Sequence, residues 1–144
     1  MNAFDIQKRV VEILTQNGFN AVASEVKEGF AKPAVFVSVH PVQHERLMCG
    51  MEQVTDSVEI KFFPAVETAA ECIKVSDKII DIFYYSPFRV EGHTFTVESI
   101  ETDIEDYILT VYFELTYEQP MPDAEEYEDI ENMDMNMNIK TEVE

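Results

Sequence analysis

The pattern of apolar and polar positions is clearest across residues 54–85, where its period changes from two residues to about 3.6. Val58, Ile60 and Phe62 alternate with polar residues, which predicts a half-buried strand. Pro64 is expected to end this strand, because proline cannot donate a hydrogen bond to a ladder. The positions that follow predict an amphipathic helix of about five turns. Its apolar stripe comprises Ala69, Ile73, Ile80 and Phe83, with Cys72, Val75 and Ile79 beside it.

The N-terminal residues predict a second amphipathic helix over residues 3–16. Asn2 is a candidate N-cap, and Gly18 can take the left-handed conformation that commonly follows a helix. One broad face carries the apolar residues, which are Phe4, Ile6, Val10, Ile13 and Leu14. This N-terminal helix is therefore expected to pack on the same core as the helix that follows Pro64.

Several further segments have the composition or alternation of strands. Residues 34–40 are rich in β-branched side chains, and Pro41 is expected to end that strand. Residues 94–101 and 107–117 predict two more strands, separated by a turn at Asp103, Glu105 and Asp106. Residues 19–26 add a short segment before the turn at Gly29 and Pro33. The order α-β-β-β-α-β-β indicates an α+β fold, a largely antiparallel sheet with two helices packed on one face.

The length of 144 residues favours a single domain. We place this domain at residues 1–118, followed by an acidic, methionine-rich tail at residues 119–144. The tail carries nine acidic residues and one lysine and shows no sustained apolar period. We expect the tail to be flexible unless a partner binds it.

The charge is strongly unbalanced, with 29 acidic against 10 basic side chains and a net charge of −19. Such a surface repels nucleic acid and anionic membranes and favours basic or cationic partners. No apolar stretch is long enough for a membrane span, and no signal peptide is evident. Cys49 and Cys72 do not form a disulfide framework. We expect a cytoplasmic, reduced protein without a membrane partner.

No residue pattern predicts catalysis. The sequence contains no nucleophile elbow, phosphate-binding loop or dinucleotide fingerprint. His40, His44 and Cys49 form an incomplete set of zinc ligands. The acidic turn near residue 103 is better explained by solvation than by calcium binding. We therefore expect no enzyme activity, no catalytic residue, no metal and no cofactor.

The connection at residues 42–53 contains more apolar residues than a plain hairpin turn requires. It is either a pair of strand extensions with a bulge or an arm that packs on a neighbouring subunit. Large apolar residues on the second face of the sheet also suggest an interface. The candidate subunit or partner contacts are Arg46, Leu47, Met48, Met51, Phe36, Phe63, Ile108 and Tyr112, with Met133 and Met135 in the tail.

Several of these segments together resemble a known family. They are the N-terminal helix, residues 26–37, the strand at residues 58–64 with the helix directly after it, and the closing strand Tyr-Phe-Glu-Leu-Thr-Tyr at residues 112–117. The most specific part is Gly29, Phe30, Pro33 and Phe36 in the pattern Gly-Phe-x-x-Pro-x-x-Phe. Across about residues 4–118 the chain is similar to the tail terminator, or tail completion, proteins of long-tailed phages and phage-tail-like contractile particles.

The resemblance implies a structural protein of the virion or tail-like particle, assembled in the bacterial cytoplasm. Members of this family form a homo-hexameric ring that caps the tail tube, ends its growth and meets a head connector, sheath or cap. The implied partners are further copies of the chain and the tail tube protein, with the sheath or head-tail connector as a further partner. DNA would pass through the ring without specific binding, which suits an acidic protein. The alternative is an acidic inhibitor that mimics nucleic acid, or a generic protein-interaction module.

Overall fold

A computed structural model of the chain describes residues 1–23 and 29–122. The elements, in chain order, are α1 (Ala3–Gln16), β1 (Ala21–Val22), β2 (Ala34–Arg46), β3 (Met51–Phe63), α2 (Ala69–Phe83), β4 (Phe88–Val90), β5 (His93–Phe95), β6 (Ile100–Glu105) and β7 (Ile108–Pro120). Five strands form one mostly antiparallel sheet in the order β1-β2-β3-β7-β6, and β4 pairs with β5 separately. The predicted α+β class and the helix and strand order are confirmed, with the β4–β5 hairpin as an added feature.

The first helix begins and ends as the sequence predicts. The Asn2 side chain accepts a hydrogen bond from the Asp5 backbone N–H, and the Asp5 carboxylate accepts one from the Asn2 backbone N–H. This reciprocal pair satisfies two N–H groups that have no partner within the helix. Gly18, with φ +88°, follows the helix end in the left-handed region. The predicted apolar face is wrong at one position, since Phe4 is exposed and the buried residues start at Ile6.

The second helix is rotated relative to the predicted stripe. It begins at Ala69 with Thr68 as its N-cap, and its buried positions are Cys72, Ser76, Ile79 and Phe83. Ile73, expected inside, is 53% exposed. Ser76, the second of these buried positions, is polar and therefore does not belong to any pattern of apolar residues. Phe83 anchors the helix to the sheet, with its ring centroid 5.4 Å from that of Phe113 in β7.

The second strand is longer than predicted and runs through Pro41 to Arg46. Within the described residues, β1 pairs with β2 only at Val35 and Phe36. The rest of β2 is therefore an edge strand on that side. An edge can accommodate a proline when its missing N–H faces outward. Strand β3 does end where the sequence predicts, with Phe63 immediately before Pro64.

The last strands differ from the predicted bounds on both sides of their turn. The expected strand at residues 94–101 is divided between β5 and β6, and Asp103 and Glu105 lie in β6 rather than in a turn. The turn consists of Asp106 and Tyr107, with φ 53° and 61°. Tyr107 therefore does not share the buried face of β7. The remainder of that face is confirmed, because Leu109, Val111, Phe113, Leu115 and Tyr117 are all buried.

Part of the second face of the sheet is covered by the chain itself. The ring of Phe30 lies 5.0 Å from that of Phe36 and 4.7 Å from that of Phe63, measured between centroids. Phe36 is consequently buried and Phe63 half-buried. Ile108 and Tyr112 are half-buried in strand β7. None of the described helices is long and apolar enough to cross a membrane.

Candidate assembly surfaces

The described residues form two compact units. The first contains Met1–Gln43 and Thr55–Tyr117, and the second contains His44–Val54 with the described part of Glu118–Glu144. The second unit is built on the end of the β2–β3 hairpin, which we call the hairpin end and define as His44–Val54. Residues 42–53 thus form two strand extensions joined by a short turn, one of the two structures that the sequence left open.

Backbone hydrogen bonds fix the turn of the hairpin end. The Leu47 N–H donates to the Met51 carbonyl at 2.8 Å, and the Met51 N–H donates to the Met48 carbonyl at 3.4 Å. Cys49 and Gly50 both have positive φ, at 61° and 72°. The Gly50 carbonyl also accepts a hydrogen bond from the Met121 N–H at 2.8 Å. These bonds hold the turn in one conformation, so the side chains on it have defined positions.

A polar network holds the two strands of the hairpin end beside the end of β7. The Glu52 carboxylate accepts hydrogen bonds from His44 Nδ1 at 3.0 Å and from Gln119 Nε2 at 3.1 Å. The bond from His44, followed by the bond from Gln119, lowers the pKa of Glu52 below its ordinary value. The Arg46 guanidinium contacts the Met121 sulfur at 3.6 Å. The network stabilises the hairpin end while Glu52 is ionised.

The hairpin end brings four predicted contact residues together. Met48 is 84% exposed, Arg46 is exposed, and Leu47 and Met51 are half-buried. Phe36 and Phe63 belong instead to the aromatic cluster with Phe30 described above, and Tyr112 lies elsewhere on β7. Met133 and Met135 lie outside the described residues. Contact of any of these residues with a partner stays a prediction.

A second surface, not predicted from the sequence, is an open groove of about 710 Å³ beside β7. It lies between residues 94–101 and the β7 residues Tyr112–Thr116. Glu98, Glu101 and Glu114 line it. The Tyr112 hydroxyl donates to the Glu114 carboxylate at 2.9 Å, which raises the pKa of Tyr112, and partial burial adds to the effect. The sequence predicts these three glutamates on two separate strands, and their convergence on one groove depends on the register between the strands.

The cysteines and histidines do not converge. Cys72 is buried, as expected from its place on α2, and its thiol donates to the Tyr107 carbonyl at 3.5 Å. Burial, with a smaller effect from Glu71, raises the pKa of this thiol. Cys49 is exposed in the hairpin turn. Across residues 1–23 and 29–122, no three His, Cys, Asp or Glu side chains are grouped so that they could hold a metal ion.

Comparison with known proteins identifies a family. Residues 5–137 match the family described as phage tail terminator protein. The match continues past residue 118, where the resemblance seen in the sequence ends. No match was found among curated proteins. Since the family match covers most of the 144 residues, this chain belongs to the phage tail terminator proteins, a family of structural rather than enzymatic components of phage tails.

Proposed function

We propose that this protein assembles into a closed homo-hexameric ring on the end of a tail tube. The ring stops addition of tube subunits and presents its other side to a head connector, sheath or cap. Contact with the tail tube protein and with further copies of the chain follows from that position. The proposal goes beyond membership of the family, which by itself assigns the chain to the phage tail.

The observation that carries the proposal is the exposed apolar surface of the hairpin end. Met48 exposes 84% of its surface on a turn whose backbone is held by hydrogen bonds. Half-buried Leu47 and Met51 flank it. Ordered, exposed apolar groups are typical of a contact surface, because removing them from water on binding is favourable. A neighbouring subunit placed by rotation can cover this surface, and such contacts close into a ring.

The net charge of −19 shapes how such a ring forms. Like-charged subunits repel one another, so closure is favoured by salt or by the tail tube beneath the ring. The same charge discourages binding of DNA along the channel. We therefore expect isolated protein to exchange between monomer and ring, and the particle to contain the closed ring.

The test is to place a charge on the hairpin end. Met48→Asp should prevent ring closure without unfolding the subunit, because the Met48 side chain is exposed. Leu47→Asp and Met51→Asp should act in the same way. Val66→Asp is the matched control, since Val66 is also an exposed apolar residue, at 62%, but lies outside the hairpin end. Mass photometry reports the ring, and electron microscopy reports tail length and capping.

Normal tail length and normal caps with Met48→Asp would exclude a role for the hairpin end. A wild-type protein absent from tail ends would contradict the whole proposal. That second result would favour the alternative function, an acidic inhibitor that mimics nucleic acid and binds a basic protein. Val66→Asp should behave as wild type in both measurements.

A further inference from the structure

The pairing of β6 with β7 stops before β7 does. The register runs from Glu105↔Ile108 to Ile100↔Phe113, and the groove of about 710 Å³ begins at that point. Strand β7 continues beyond Phe113 to Pro120, and no residue of β6 pairs with this continuation. Among the described residues, β7 therefore has an open edge on the β6 side at Glu114–Thr116.

The turn shows which backbone groups face this edge. Asp106 and Tyr107 form a two-residue turn with positive φ at both positions, so the flanking pair Glu105↔Ile108 exchanges two hydrogen bonds. Hydrogen-bonded pairs alternate with non-hydrogen-bonded pairs along an antiparallel ladder. Counting in steps of two from Ile108 places the N–H and C=O groups of Glu114 and Thr116 toward the β6 side.

A side-chain contact on the other side of β7 agrees with this assignment. The hydroxyls of Thr116 and of Thr55 in β3 are 3.0 Å apart. Side chains approach most closely in non-hydrogen-bonded pairs, whose backbone groups point away from each other. Thr116 therefore directs its backbone N–H away from β3 and into the groove.

The groove selects the kind of segment that can pair with this edge. Glu98, Glu101 and Glu114 line it, and its described lining includes no lysine or arginine. A segment of this chain, with 29 acidic and 10 basic side chains, is poorly matched. An extended segment with lysine or arginine at alternate positions would bring its cations to these carboxylates while its backbone pairs with β7.

We propose that the Glu114–Thr116 edge of β7 accepts a basic, extended segment of another tail protein as an added strand. The identity of the partner as a tail protein rests on the proposed function, whereas the pairing rests on the open edge alone. Backbone hydrogen bonds supply the pairing and the three glutamates supply the charge selection. The added strand pairs with β7 beyond Phe113, where the pairing with β6 has ended.

A synthetic peptide tests the edge directly. The probe is a nine-residue peptide that alternates lysine with valine, compared with the same peptide carrying glutamate for lysine and with one N-methylated at alternate positions. Binding is followed by fluorescence anisotropy, and backbone amide exchange is followed by NMR. We expect only the unmodified lysine peptide to bind, and the Thr116 N–H to become protected from exchange when it does.

Variants separate charge from backbone pairing. Glu98→Lys and Glu101→Lys should each weaken peptide binding by about tenfold, because each replaces an attraction with a repulsion. Glu105→Lys is the control, since Glu105 is an exposed residue of the same strand at its paired end. Thr116→Pro should abolish binding, because it removes the N–H that faces the groove while the ladder with β3 does not use that group.

Equal binding of the N-methylated peptide or the glutamate peptide would overturn the proposal, as would no binding of the lysine peptide at millimolar concentration. These measurements use isolated protein without tail tubes, so they do not depend on capping of the tube. Loss of peptide binding with intact caps on tails would contradict only this inference. Peptide binding by a protein that is absent from tail ends would contradict only the proposed function.

Discussion

The hairpin end and the groove beside β7 differ in the chemistry that they offer a partner. The hairpin end presents Met48 with half-buried Leu47 and Met51, whereas the groove presents three glutamates and open backbone groups. Apolar contacts weaken little with salt and do not depend on the partner's charge. Carboxylates select a basic partner and repel another copy of this chain. The difference suggests that copies meet through one surface and a different protein meets the other.

The largest expected effect is an opposite response of the two surfaces to salt. Raising sodium chloride from about 0.05 M to 0.5 M shortens the screening length to a few ångströms. Ring closure should increase, because screening reduces repulsion between subunits that each carry −19. Binding of the lysine peptide should fall by about tenfold or more, because its attraction is electrostatic. Mass photometry and anisotropy in the same buffers measure the two responses.

Two responses of the same sign would contradict the assignment of apolar contacts to one surface and charged contacts to the other. Ring closure that falls with salt would mean that ion pairs, rather than the apolar hairpin end, join the subunits. Glu105→Lys serves as a charge-matched control in both measurements, since it alters the net charge without altering either surface.

A smaller effect should appear at acid pH in the hairpin end. Glu52 has a pKa below its ordinary value of 4.5, so its contribution to stability is present above that value and is lost as pH falls through the lowered pKa. Methyl NMR signals of Met48 and Met51 should therefore shift or broaden below about pH 4.5. Glu52→Gln should make the same signals less dependent on pH, whereas Glu45→Gln, on the same hairpin, should leave the wild-type profile unchanged. Identical profiles for all three proteins would show that the network does not hold the turn.

The smallest effect is expected at the edge of the groove. Tyr112→Phe removes the hydrogen bond to Glu114 and should lower the free energy of unfolding by about 0.5–1 kcal/mol at neutral pH. Because folding raises the pKa of Tyr112, its contribution is present below about pH 10 and is lost as pH rises above that value. Urea unfolding at pH 7 and at pH 10.5 should show the variant and the wild type converging at the higher pH. A difference that grows with pH would contradict this assignment.

The elements with strong local signals could be predicted from the sequence. The Asn2 cap, the Gly18 helix end, the stop at Pro64 and the buried face of β7 all follow from properties of single residues or from a simple period. The strand end predicted at Pro41 is wrong because a proline ends a strand only where a neighbouring strand needs an N–H at that position. Strand β1 pairs only with Val35 and Phe36 and does not reach Pro41. The burial of Ser76 in α2 likewise depends on packing that no apolar pattern records.

The hairpin end and the groove also differ in how far the sequence predicts them. Leu47, Met48 and Met51 could be selected from the sequence because apolar residues near a turn are unusual. The groove could not be predicted from the sequence, because it forms where the pairing of β6 with β7 ends at Ile100↔Phe113. Glu98 and Glu114 are far apart in the sequence and become neighbours of one groove only when the strand between them is placed.

The proline in β2 has a consequence for growth by strand pairing. Chains that add edge to edge can extend without limit when each new subunit offers the same edge that the last one used. Here the outer edge of β2 carries Pro41, which cannot donate to an incoming strand, while the edge at Glu114–Thr116 can. A subunit that pairs at one edge and carries a proline at the other does not offer a new edge equivalent to the one that it used. Such a protein can join a polymer without offering the next position, which is the property required of the last subunit in a row.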